Sequence, residues 1–223
     1  NVWGNILKHA DFDNFDVVID KPLYKHPERF VCEFFFETSG IEQHFPNFNW
    51  RSHQSDYFCT GTFFGTKGIF SLDEYIDILD FTENHPGLFK YGEMGFLNFM
   101  LFRASDEGRI RLGQAHMQLI VPDFEQEELK KRFPVEKTGP IMPDKEAIVI
   151  HWCKVKPLLS ATQAHSEPMS FCRRQFLKKE RGFTGVLADF WLTLEDYYSV
   201  LNVYKNKLIR RFSRYRKKLL PGM

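Results

Sequence analysis

Closely spaced cysteine pairs are missing from this chain: its four Cys stand at 32, 59, 153 and 172, with no CxxC among them. This argues against a structural zinc module, although His9, Asp11, Asp13, His53, Cys59, His116, His151 and Cys153 supply many ligand types. With no leader-like stretch at the start, a reducing, cytoplasmic setting is expected. Also missing is any run near the roughly 18 to 20 apolar residues needed to cross a bilayer. Excess charge is lacking too: 30 Lys and Arg against 29 Asp and Glu leave +1, so the molecule as a whole is not built to hold a polyanion. The first residue is Asn1 rather than Met, and apolar residues are dense at once. An N-terminal part of the fold is therefore expected to be missing.

Phenylalanine, by contrast, is abundant. Its 24 copies predict either a core assembled from aromatic rings or an apolar surface awaiting a lipid or partner. Val17-Val18-Ile19 reads as a buried strand closed by Asp20-Lys21-Pro22, Phe30 to Phe36 as a second, longer strand, and Thr62-Phe63-Phe64 as a third. Residues between Gly40 and Ser55, with Pro46, Trp50, His44 and His53, read as an ordered loop. From Ser71 the pattern changes to Leu72, Tyr75, Ile76 and Leu79 at i, i+3, i+4, i+7 behind an N-cap serine, which predicts a helix. Gly95 to Phe102 continues as an apolar helix whose one polar residue, Asn98, must serve a backbone group or face a cleft. A strand around Met117 to Val121, a charged stretch Asp123 to Lys131, a Pro- and Gly-rich loop and a strand from Ile148 follow. Strands alternating with helices make the expected class α/β with a mixed sheet.

Beyond residue 160 the character shifts to helix. Glu167 to Arg181 and Leu192 to Leu220 are separated by Gly182 and Gly185, and residues 161–223 are expected to form a helical extension. In the last segment Tyr204, Leu208, Phe212, Tyr215 and Leu219 recur at helical spacing among many Lys and Arg. This basic amphipathic helix suits an anionic membrane surface, or a place on its own domain with a solvated charged face. Its aromatics lie on the apolar stripe rather than interleaved for base stacking, so nucleic acid is not an expected partner.

Four segments could carry chemistry. Asp11-Phe12-Asp13-Asn14-Phe15-Asp16 places carboxylates before a strand, where hard cations find oxygen ligands. Thr60-Gly61 combines a hydroxyl with a residue that permits close backbone approach. Glu93-Met94-Gly95-Phe96-Leu97-Asn98 opens an apolar helix with an acid, which its macrodipole stabilises. Ile148-Val149-Ile150-His151-Trp152 ends a strand in an imidazole, with Lys156-Pro157 five positions on, a candidate metal and diphosphate grip.

In this order the segments resemble the retaining nucleotide-sugar glycosyltransferases of family eight, the glycogenin and lipopolysaccharide galactosyltransferase group, over roughly residues 11 to 160. The resemblance implies a GT-A-like fold across residues 1–160. It implies transfer of a hexose from a nucleoside diphosphate sugar, preferably a UDP-sugar, to a glycan or lipid-linked acceptor of the cell envelope at the inner membrane face. By resemblance Asp11 and Asp13, or Asn14 and Asp16 in a second register, would hold Mn²⁺ or Mg²⁺ together with His151. Lys156 would meet the diphosphate, Glu93 would bond sugar hydroxyls, and Asn98 would support the catalytic site. Thr60, Gly61 and Trp152 complete the substrate contacts. Met94 stands where the family has Gln, and Cys153-Lys154 where it has Gly. A noncatalytic GT-A-like binding or membrane-associated protein is the alternative.

Overall fold

The computed structural model describes residues 2–121, 125–141, 148–152 and 165–219. They are mixed α/β, with helices predominating over small sheets. In chain order the strands are β1 (Val2–Trp3), β2 (Val17–Asp20), β3 (Phe63–Gly65), β4 (Leu112–Ala115), β5 (Gln118–Ile120), β6 (Val135–Glu136), β7 (Gly139–Pro140) and β8 (Ile148–His151). The α-helices are α1 (Glu28–Phe34), α2 (Thr38–His44), α3 (Leu72–Asn84), α4 (Glu93–Asp106), α5 (Gln126–Arg132), α6 (Glu167–Arg181) and α7 (Gly185–Leu219). The chain divides into two compact units, one of Val2–Leu119 with Asp144–His151, the other of Ile120–Pro143 and Trp152–Met223. Thus the segment carrying α5 groups with the C-terminal helices.

In the first unit β2 is the middle strand of three, antiparallel to β3 and parallel to β4. All four of its residues are buried, which is why a short β-branched run suffices there. Asp20 ends the strand, its Oδ1 accepting the backbone N–H groups of Met117 at 2.8 Å and Gln118 at 2.9 Å. Burial raises its pKa to about 6 against the opposing pull of those bonds. A second three-stranded sheet has the order β1-β8-β5.

The expected strand at 30–36 is a helix instead. Pro27 precedes α1, Glu28 sits in its first turn, and the apolar pairs Phe30 with Phe34 and Val31 with Phe35 are each four apart. Phe30 and Phe34 meet with ring centroids 4.5 Å apart. An unbroken apolar run satisfies a period of 2 and a period of 3.6 alike, and tertiary burial of Val31 and Phe35 selected the helix. The expected loop at 40–55 likewise contains most of α2 and a 3₁₀ turn at Trp50–His53, which the Asn49 side chain caps. Elsewhere the sequence pattern carries through: Ser71 and Glu74 form a reciprocal capping box at the start of α3.

The abundant Phe residues form the core of this unit. Phe36, Phe48, Tyr57, Phe89, Phe99 and Phe102 are buried and meet largely edge to face, the geometry that ring quadrupoles favour. His53 stacks on Phe102 at 4.6 Å between centroids and bonds Asp106. Burial disfavours its charge, but hydrogen bonds that the ring donates to the Asp56 and Asp106 carboxylates outweigh that and raise its pKa above the usual imidazole value.

In the second unit α6 and α7 form a hairpin around Leu177, Ala188 and Leu192, with Gly182 in a left-handed C-cap. Arg173 meets Glu195 and Asp196, and Arg174 meets Asp189. Lys130 of α5 lies 3.8 Å from Glu167 at the start of α6. Among the described residues no helix is long and apolar enough to cross a membrane.

Candidate functional site

The candidate residues fall at two ends of β2. At its N-terminal end the carboxylates are engaged locally. Asp11 accepts the backbone and side-chain N–H groups of Asn14, the Asp13 carbonyl accepts from Arg111, and Asp16 takes a two-pronged grip from the Arg111 guanidinium and its backbone N–H. Those Arg111 hydrogen bonds hold the Asp16 carboxyl below the usual carboxylate range.

At the other end the register sets Ile19 opposite Phe63, which carries the Thr60-Gly61 turn past Asp20. There Gln118 Oε1 lies 3.2 Å from His151 Nδ1 and 3.4 Å from Thr62 Oγ1, and Cys59 Sγ lies 3.8 Å from the same nitrogen. Two mechanisms bring them together. Asp20 fixes the backbone of Gln118 as described, and β8 delivers His151 from more than 30 residues farther on, with Val149 N–H donating to the Met117 carbonyl at 2.7 Å. Gly61 makes room: a Cβ there would stand 3.0 Å from Gln118 Oε1 and 3.4 Å from the His151 ring. Gln118 Nε2 is buried without a hydrogen-bond partner, a donor suited to an oxygen supplied from outside the chain.

The α4 motif supports this end from behind. Asn98 is fully buried, its Oδ1 accepting the Phe58 N–H at 3.1 Å and its Nδ2 donating to the Phe58 and Met94 carbonyls at 3.0 and 2.8 Å. All of its donors are thus spent on backbone. In this role it is a positioning residue for the Phe58–Gly61 segment. Gly95 is required by packing, because a Cβ would fall 2.1 Å from the Phe35 carbonyl oxygen. Glu93 is exposed in the first helical turn behind Gly92, which has φ 62°.

Thr60, Gly61 and His151 are therefore brought together, whereas Asp11, Asp13 and Asp16 are held away from them by the length of β2, about 13 Å of extended chain. Among the described residues no three His, Cys, Asp or Glu side chains stand where they could hold one ion. Trp152 follows His151 and is buried, and Lys156 lies outside the described residues. Sequence reading passed over Gln118, although a lone amide inside the apolar run Met117 to Val121 was the available signal. No family model, no curated protein and no solved structure matches this chain, so its own geometry has to carry the functional reading.

Proposed function

We propose that this chain is a glycosyltransferase-type domain that takes a hexose from a nucleoside diphosphate sugar, with the donor at the Thr60-Gly61, Gln118 and His151 end of β2. The observation that carries this reading is the convergence of two segments singled out separately by their chemistry, the Thr-Gly turn and the strand-terminal His, around a buried amide donor that lacks an acceptor. Gly61 lets a ligand approach the backbone, Thr60 and Gln118 Nε2 can donate to phosphate or sugar oxygens, and His151 holds the Gln118 amide in place. In transfer, the acceptor oxygen forms a bond to the anomeric carbon while the bond to the donor diphosphate breaks. The diphosphate leaves with the electron pair and takes up the proton that the acceptor hydroxyl releases. Hydrogen bonds to the departing oxygens stabilise the growing charge there. The acceptor is a glycan or lipid-linked hydroxyl.

A second reading, a domain that binds the donor without turning it over, is favoured by the Arg111 grip on Asp16 and by Met94 in the helix-opening motif. Thermal unfolding with a panel of nucleoside diphosphate sugars, with and without Mn²⁺, tests both. A donor at about one hundred times its Kd adds about 2.7 kcal/mol, a shift of several degrees for a chain of this size. The expected result is a shift that His151→Ala and Gln118→Ala each remove, together with hexose transfer in a product assay. A shift without product selects the binding reading, and no shift with any donor overturns both.

A further inference from the structure

Helix α7 is apolar on two faces. One face packs on α6 through Ala188 and Leu192, and its acids Asp189, Glu195 and Asp196 are taken up by Arg173 and Arg174. On the opposite side Leu187, Phe190, Leu194, Tyr197, Leu201 and Tyr204 follow one another in alternating steps of 3 and 4, and Leu208 continues the row. At about 100° per residue these side chains share an arc of roughly 100° on the side away from Leu192. All are exposed, Leu201 at 66% and Tyr204 at 61%. An unbroken stripe of this length is more apolar surface than scattered exposed residues account for.

Charge identifies what covers it. No acid follows Asp196, while eight Lys and Arg fall between Lys205 and Lys218. A second copy is a poor partner. Parallel pairing would set these like charges side by side, and antiparallel pairing would bring them to acids already engaged by Arg173 and Arg174. An anionic lipid surface satisfies both features at once: acyl chains receive the Leu and Phe side chains, Tyr rings suit the headgroup level, and Lys205 and Lys207 reach phosphate and carboxylate headgroups along their alkyl stems.

We infer that α7 docks in the plane of an anionic bilayer surface through the Leu187 to Leu208 stripe, with its basic C-terminal half held by anionic headgroups. This inference is independent of the donor site. The test is flotation of the full chain with vesicles of phosphatidylcholine alone and of phosphatidylcholine with phosphatidylserine, alongside sedimentation velocity of the free protein. The expected result is binding to the phosphatidylserine vesicles only, weakened as salt rises from about 0.1 M to about 1 M and the screening length falls from about 10 to about 3 Å. Lys205→Gln and Lys207→Gln should each weaken it roughly five-fold. Leu194→Glu with Leu201→Glu should lower binding more than ten-fold with an unchanged far-ultraviolet spectrum and melting temperature, because both positions are exposed. Absence of binding to either vesicle would overturn the inference, as would equal binding to both at every salt concentration. Self-association that the double Glu variant abolishes, with no vesicle binding, would assign the stripe to a second copy instead.

Discussion

The unit built around β2 and the α6–α7 hairpin draw on the same residue types and treat them oppositely. In the first, Phe36, Phe99 and Phe102 are buried in a cluster that includes other rings, and even His53 stacks on one of them. In the hairpin, Phe176, Phe190 and Leu201 stand exposed on regular helices. A sheet with helices around it offers several surfaces to each apolar side chain, whereas two helices alone can cover only one stripe of each. Apolar content thus marks what must be covered, and the neighbouring elements decide whether the chain covers it itself.

The sharpest way to break this contrast is to truncate one ring in each region. Phe99→Ala should cost about 3–5 kcal/mol in denaturant unfolding, while Leu201→Ala should stay within about 0.5 kcal/mol of the parent. A large effect at Leu201 would mean that its face is covered after all.

Acidity sharpens the contrast from the other side, because Asp20 titrates inside the first unit. Its carboxyl has an ordinary value of 3.8 and is raised to about 6 by burial, so the folded state binds the proton more tightly than the unfolded one. Its contribution is fully favourable below about pH 4 and declines as pH rises through about 6, by about 3 kcal/mol. Asp20→Asn should flatten that decline, since an amide oxygen still accepts the Met117 and Gln118 N–H groups. The sign at His53 is that of a raised imidazole: its favourable contribution is present below its ordinary pKa of 6.5 and is lost as pH rises through the higher folded value. Stability measured by urea titration across pH distinguishes the two windows.

Asn98→Ala should destabilise by about 1–3 kcal/mol, because the buried N–H and C=O of Phe58 lose their partners. It should also loosen donor binding through the Phe58–Gly61 segment. Gly61→Ala should cost on the order of 1 kcal/mol or less, since only the end of a Gln side chain has to give way. Donor-induced stabilisation should nevertheless fall. Gly95→Ala is the counterpart that tests this logic: its Cβ would meet the Phe35 carbonyl rather than a side-chain end, and melting should drop well below that of Gly61→Ala.

Legibility followed the strength of local signals. Ser71 and the apolar spacing behind it announced α3 because an N-cap and a helical stripe are made by residues a few positions apart, and Gly182 announced the end of α6 because a left-handed cap needs no distant contact. Asn98 was readable as a polar residue that had to be satisfied. That its partner would be the backbone of Phe58, 40 positions earlier, was not. The acids and His151 were singled out by their order along the chain, and that order carries no information about which end of β2 each segment reaches.

By itself the sequence determined the buried strand at β2, the helices from Leu72, Glu93 and Glu167, a wealth of aromatic rings that had to be buried or covered, and a basic apolar-striped C-terminal helix, all of them consequences of short-range spacing and composition. Only the tertiary structure decided that the run from Phe30 is helical, that Asp16 belongs to Arg111, and that Gln118, Gly61 and His151 share one corner. Those outcomes depend on sheet register and on contacts between distant segments, where the free energy of burying a side chain outweighs local preference.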